Sequence, residues 1–72
     1  MFGEWLDSMM TKYNITTKDV AKATKSHPNV VRNWIRNKNY PNLPKLVMLV
    51  LFFERLGESP ELMFQTIIRL FK

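Results

Sequence analysis

Asn29, Arg32, Asn33 and Arg36 stand close together in the stretch HPNVVRNWIRNKN, residues 27–39. At about 100° per residue they would share an arc of about 100° on an α-helix. Val30, Val31, Trp34 and Ile35 would fill an arc of about 140° nearly opposite. The polar arc contains neither Glu nor Lys, the common residues of a solvated face. It offers forked guanidinium donors and amides instead. Arg matches O6 and N7 of guanine in the major groove, and Asn matches N6 and N7 of adenine. Asn37 and Asn39 suit a helix end rather than this face. The competing reading of the four side chains is a plain solvated surface.

The charge follows the same segment. Of the net charge of +5, residues 12–45 hold eight Lys or Arg against a single acid, Asp19. Residues 46–72 hold three of each sign, and residues 1–11 hold Glu4 and Asp7 with no base. A basic zone beside a neutral one predicts a polyanion site attached to a core or assembly element. The chain has 72 residues, no Cys and one His, His27, so disulfides and Cys- or His-cluster metal sites are excluded. A domain this small has a limited core, and helix packing or self-association must stabilise it. The start lacks the basic-then-apolar order of a leader. The apolar run Leu46–Phe53 is eight residues long, against roughly 20 needed to span a bilayer. A cytoplasmic protein with no membrane partner is the expectation.

Apolar spacing and punctuation predict five short helices and one all-α domain over 1–72. Leu6, Met9, Met10 and Tyr13 recur at i, i+3, i+4 and i+7, which predicts a helix over Glu4–Tyr13 closed by a left-handed Asn14. Thr16 caps the next helix, Thr17–Thr24, with Asp19 placed as in a capping box. Pro28 opens the third helix, which should reach about Asn37, and NKNYPN is a loop. The fourth runs from Pro44 or its neighbour to Leu56 and ends at Gly57. Ser59 caps the fifth, with Pro60 in its first turn, Glu61 near its positive end and Lys72 near its negative end.

The stretch ITTKDVAKATKSHPNVVRNWIRNKNYPNL resembles the helix-turn-helix of the lambda repressor/Cro-like family of phage and bacterial regulators. The pattern aligns over about 30 residues without a gap. Thr16 matches the cap of the second helix, and Val20 and Ala21 its inward residues. Val31 and Trp34 match the inward residues of the recognition helix, and Pro41 and Leu43 the loop and start of the fourth helix. Three positions depart. Lys25 stands where the family usually has a turn glycine, Thr24 where a leucine-like residue precedes it, and Thr17 where a glutamine often opens the second helix. A left-handed Lys25 costs of order 1 kcal/mol, which predicts a longer or differently shaped turn.

The resemblance implies base contacts from Pro28, Asn29, Arg32 and Asn33. It implies phosphate contacts from Thr17, Lys18, Arg36, Lys38 and Lys45. His27 falls at the cap of the third helix, where it caps or touches phosphate. The implied function is a sequence-specific double-stranded DNA-binding transcriptional regulator that occupies an operator in a bacterial host cell and blocks polymerase. No enzyme activity, cofactor, metal or small-molecule ligand is expected.

Helices over about 44–72 should supply core and a dimer interface. LPKLVMLVLFFERLG is apolar almost all round, with Met48, Leu51 and Phe52 directed away from Leu46, Leu49, Val50 and Phe53. In the fifth helix Phe64, Ile67, Ile68 and Phe71 form one stripe, flanked by Met63 and Leu70. Surplus apolar surface implies a partner. The expected homodimer interface is Met48, Leu51, Phe52, Met63, Ile67, Leu70 and Phe71, and twin recognition helices suit two DNA half-sites. Two other classes remain open. One is a protein-binding module on the same fold, such as an antitoxin or a small phage inhibitor. The other is an RNA binder, for which Tyr40 is the one aromatic expected to be exposed in the basic zone.

Overall fold

Helices form where the caps place them. A computed structural model describes residues 1–71. It contains α1 (Phe2–Tyr13), α2 (Thr17–Thr24), α3 (Pro28–Ile35), α4 (Leu43–Arg55) and α5 (Pro60–Leu70). No strand occurs among the described residues, and Lys72, expected at the negative end of α5, lies outside them. No helix among them is long and apolar enough to cross a membrane.

The capping box of α2 is complete. Thr16 Oγ1 accepts from the Asp19 N–H at 3.3 Å, and Asp19 Oδ2 accepts from the Thr16 N–H at 2.9 Å. Two of the four orphan donors at that helix start are thereby satisfied. These bonds, the Thr16 backbone first, hold the Asp19 carboxyl below its usual range. Asn42 Oδ1 caps α4 through the Lys45 N–H at 3.1 Å, and Ser59 Oγ caps α5 through the Leu62 N–H at 3.3 Å. Asn14 is left-handed at φ 53°, as expected after α1.

Two boundaries differ from expectation by two residues, for one shared reason, while α4 ends one residue early at Arg55. α1 begins at Phe2 rather than Glu4, and α3 ends at Ile35 rather than about Asn37. Met1 gives α1 no side-chain cap. Asn37 supplies the missing partner from the other end of α3. It leaves the helix at φ 60°. Its Oδ1 then accepts from the Gly3 N–H at 2.8 Å, and its Nδ2 donates to Glu4 Oε1 at 2.6 Å. The Asn37 hydrogen bond leads the causes that lower the Glu4 carboxyl below its ordinary value. The two chain segments approach so closely that a Cβ on Gly3 would lie 2.1 Å from the Ile35 carbonyl oxygen. Gly3 is thus a contact glycine, which helix periodicity could not reveal.

The core is a single cluster fed by all five helices, with Phe2, Leu6, Val20, Val31, Trp34, Leu49 and Phe53 almost fully buried. α3 packs on α1 and α2, α2 on α4, and α4 on α5. Phe53 of α4 meets Trp5 and Tyr13 of α1 at ring-centroid separations of 6.0 and 6.3 Å. The chain ends are closed by a second aromatic group. Phe2, Tyr40 and Phe71 lie within 4.9–6.1 Å of one another, the closest pair being Tyr40 and Phe71, edge to face. Opposite that end, Glu58 in the α4–α5 connection accepts from Lys12 Nζ at 2.5 Å and from the Tyr13 hydroxyl. Lys12 first and Tyr13 second hold the Glu58 carboxyl below the usual range.

The Gly3 approach yields a stability prediction. Gly3→Ala should destabilise the fold by about 1–3 kcal/mol, the cost of overpacking, although alanine is the better helix former. Urea unfolding would register the loss. A neutral or stabilised variant would mean that the α1–α3 contact yields freely.

Candidate nucleic-acid interface

α3 divides as its spacing requires. Val31 and Trp34 are buried, Val30 and Ile35 are half-buried against the core, and Asn29, Arg32 and Arg36 are exposed. Asn33 is half-buried at the edge of the polar face, and Pro28 is half-buried in the first turn. Arg32 Nη1 donates to Asn29 Oδ1 at 2.6 Å. This pair, one helical turn apart, orients the guanidinium along the face and leaves four of its five N–H donors for other partners. Arg36 has left the regular helix and forms its C-cap at φ −83°, ψ 1°.

His27 is a cap. Its Nδ1 accepts from the Asn29 N–H at 3.1 Å, so this nitrogen carries no proton in that arrangement. Pro28 follows without an N–H to satisfy. The sequence left His27 between two roles, and its geometry gives the first. Thr17 is half-buried at the first position of α2, whereas Lys18 and Lys38 are exposed.

The α2–α3 connection corrects two expectations. It is only three residues long, Lys25–His27, and Lys25 is left-handed at φ 54°, ψ 45°. The turn is therefore neither lengthened nor reshaped by the absent glycine. The reason lies in α4. Lys45 Nζ donates to the Thr24 carbonyl at 3.1 Å, the Lys25 carbonyl at 3.0 Å and Ser26 Oγ at 2.8 Å. An ammonium with three donors is fully occupied by these three acceptors. Lys45, expected on phosphate, instead neutralises the carbonyl end of α2, where the helix dipole favours a cation. Backbone bonds complete the stop, Ser26 N–H to the Ala21 carbonyl at 2.8 Å and Lys25 N–H to the Lys22 carbonyl at 3.3 Å.

Thr24, the second departure, is fully buried. Its hydroxyl donates back to the Val20 carbonyl at 2.9 Å, which removes the cost of a polar atom in the core. No buried side-chain polar atom among the described residues lacks a partner.

The expected self-association surface also changes. Met63 and Ile67 are each 3% exposed and belong to the chain's own core, so their apolar surface is not available to a partner. Leu70 is half-buried, and Phe71 stays exposed, as expected, although its ring meets Tyr40 in a T-shaped contact. Met48 and Phe52 are half-buried beside α2, and Leu51 is exposed. Periodicity missed Leu43 and Val47, which are exposed at i−8 and i−4 from Leu51 and share its face of α4. On α5 the exposed apolar residues are Leu62, 63% exposed, and Ile68, 58% exposed, with Phe71 just past the helix end. The spacing of Leu43, Val47 and Leu51 was the available signal.

No protein-family model, curated protein or solved structure matches this chain.

The Lys45 geometry predicts coupled stabilities. Lys45→Met keeps the apolar stem and removes the donors, and it should lower unfolding free energy by about 1–3 kcal/mol. Lys25→Gly should raise it by about 1 kcal/mol by relieving the left-handed side chain. Denaturant melts of both single variants and the double variant would check this. A Lys45→Met loss within about 0.5 kcal/mol would place Lys45 among ordinary surface residues.

Proposed function

We propose that the protein is a sequence-specific double-stranded DNA-binding regulator of the lambda repressor/Cro kind. It works as a dimer that covers an operator and so blocks polymerase, without a cofactor. The observation that carries this reading is the polar face of α3, exposed Asn29 and Arg32 with half-buried Asn33 at its edge and exposed Arg36 at its C-cap, on a helix anchored by buried Val31 and Trp34. Side chains on a packed helix are suited to base readout because their position is set by the core and not by a loop. Lys18 and Lys38, together with Arg36, supply the phosphate contacts that orient the helix. His27 and Lys45 act indirectly, one by starting α3 and the other by holding the turn before it.

Duplex DNA is favoured over single-stranded RNA by the aromatic arrangement. Single-stranded recognition needs free ring faces for stacking. Tyr40, the expected platform, is exposed as expected at 44%, but it is a single ring already in T-shaped contact with Phe71 and Phe2. For the dimer, the outward row Leu43–Val47–Leu51 and Ile68 supply an apolar surface that no helix of the chain covers.

Two measurements test the reading. Selection from a random duplex pool should recover a site, and affinity for it should fall steeply with salt. On that site Arg32→Ala should cost about 1–3 kcal/mol and relax preference at one base pair, with its melting curve unchanged. Lys38→Ala should weaken all duplexes alike and reduce the salt slope by about 1. Salt-independent binding, or an Arg32→Ala variant of full affinity and specificity, would remove the α3 face as a reader.

Sedimentation tests the assembly. The wild type should sediment as a dimer at micromolar concentration, and Val47→Glu with Ile68→Glu should yield monomers that still melt cooperatively. A wild-type chain that sediments at 8.6 kDa would defeat the dimer.

A further inference from the structure

A groove of about 450 Å³ lies between α2 and the C-terminal half of α4. A smaller hollow of about 110 Å³ adjoins it and shares Ala23, Phe52 and Arg55. The groove exists because Ala23 is small. On α2 it is half-buried beside Asp19, and its single methyl leaves room above the half-buried Phe52 ring. Ile15 and Leu56 close one end. No α3 side chain lines either space. An occupant would therefore leave the polar face of α3 free.

The rim has a sign. Lys22 and Arg55 are exposed on it, and neither makes a salt bridge with a described carboxylate. The one rim acid is Asp19. Its Oδ2 already accepts from both the backbone and the hydroxyl of Thr16, at 2.9 and 3.0 Å, as the cap of α2. The rim thus sets two cations against one carboxylate, whose bonds to Thr16 keep it ionised, and its net charge is positive above an apolar floor. A helix laid between two others meets such a groove through residues at i, i+3 or i+4 and i+7.

We infer that this groove docks an acidic amphipathic helix of a partner protein. Its apolar residues would sit on Phe52 and Ala23, and its Asp or Glu residues would meet Lys22 and Arg55. A second copy of the chain has only six acidic residues against eleven basic ones to offer this rim, and the dimer surface proposed above lies on the Leu43–Val47–Leu51 row instead. The inference does not depend on DNA binding. It predicts a molecule with two separate surfaces, one of which recruits or receives an acidic protein segment.

The test uses the isotopically labelled full chain and two synthetic helical peptides of about four turns. Both carry Leu and Phe at i, i+4 and i+7. One is flanked by Glu and the other by Lys. The Glu peptide should bind saturably, with amide shifts centred on Lys22, Ala23, Phe52 and Arg55. Lys22→Glu with Arg55→Glu should weaken it by about tenfold or more, because rim charges set partner choice. Ala23→Leu, which fills the groove, should block it. Equal binding of the Lys peptide would overturn the inference, as would shifts elsewhere or no saturation by about 1 mM. Shifts of the same residues on changing protein concentration alone would assign the groove to a second copy and overturn it too. Since both charge-reversed positions are exposed, loss of fold would not imitate the expected result, and the melting curve would verify this.

Discussion

One ammonium group holds the turn that leads into α3. A helix that ends in three residues must turn its backbone through the left-handed region, and here the residue that does so is Lys25. Glycine would adopt that conformation without the clash of a Cβ. Whatever residue stands there, the last carbonyls of α2 have no partner within the helix. Lys45, from the first turn of α4, supplies all three of its N–H donors to them and to Ser26. The same contact joins α4 to the α2–α3 unit, so one interaction fixes both the turn and the direction of the following helix.

A comparable exchange operates at the other end of α3. Asn37 leaves the helix to cap α1, and Gly3 lets the two backbones touch. α3 is therefore held at its start by His27, at its end by Asn37, and along its inner side by Val31 and Trp34. A helix of eight residues is too short to be stable alone in water. These attachments fix the position of its amides and guanidiniums relative to the core.

The outward surfaces divide the charge of the chain into distinct tasks. Lys12 answers Glu58, and Lys45 answers carbonyl oxygens, so neither contributes freely to the basic zone. Lys22 stands with Arg55 at the α2–α4 groove, while Lys18, Arg32, Arg36 and Lys38 remain exposed. A count of basic residues along the chain thus overstates the charge available to any one polyanion.

Local signals determined the five helices. Capping chemistry acts within three or four residues, which is why Thr16, Asn14, Pro28, Ser59 and Pro60 marked their boundaries correctly. The separation of α3 into apolar and polar faces was equally legible, because both faces follow from 3.6 residues per turn. The roles of Lys45, Asn37 and Gly3 were not legible, since each partner lies about 20 to 35 positions away and no periodicity reports such a pairing. For the same reason α5 was misread in part. Its sequence shows two neighbouring apolar strips, and only packing on α4 decided that Met63 and Ile67 go inward while Ile68 stays outside. Spacing tells which side chains share a face, but a face becomes core or surface only when another element arrives to cover it.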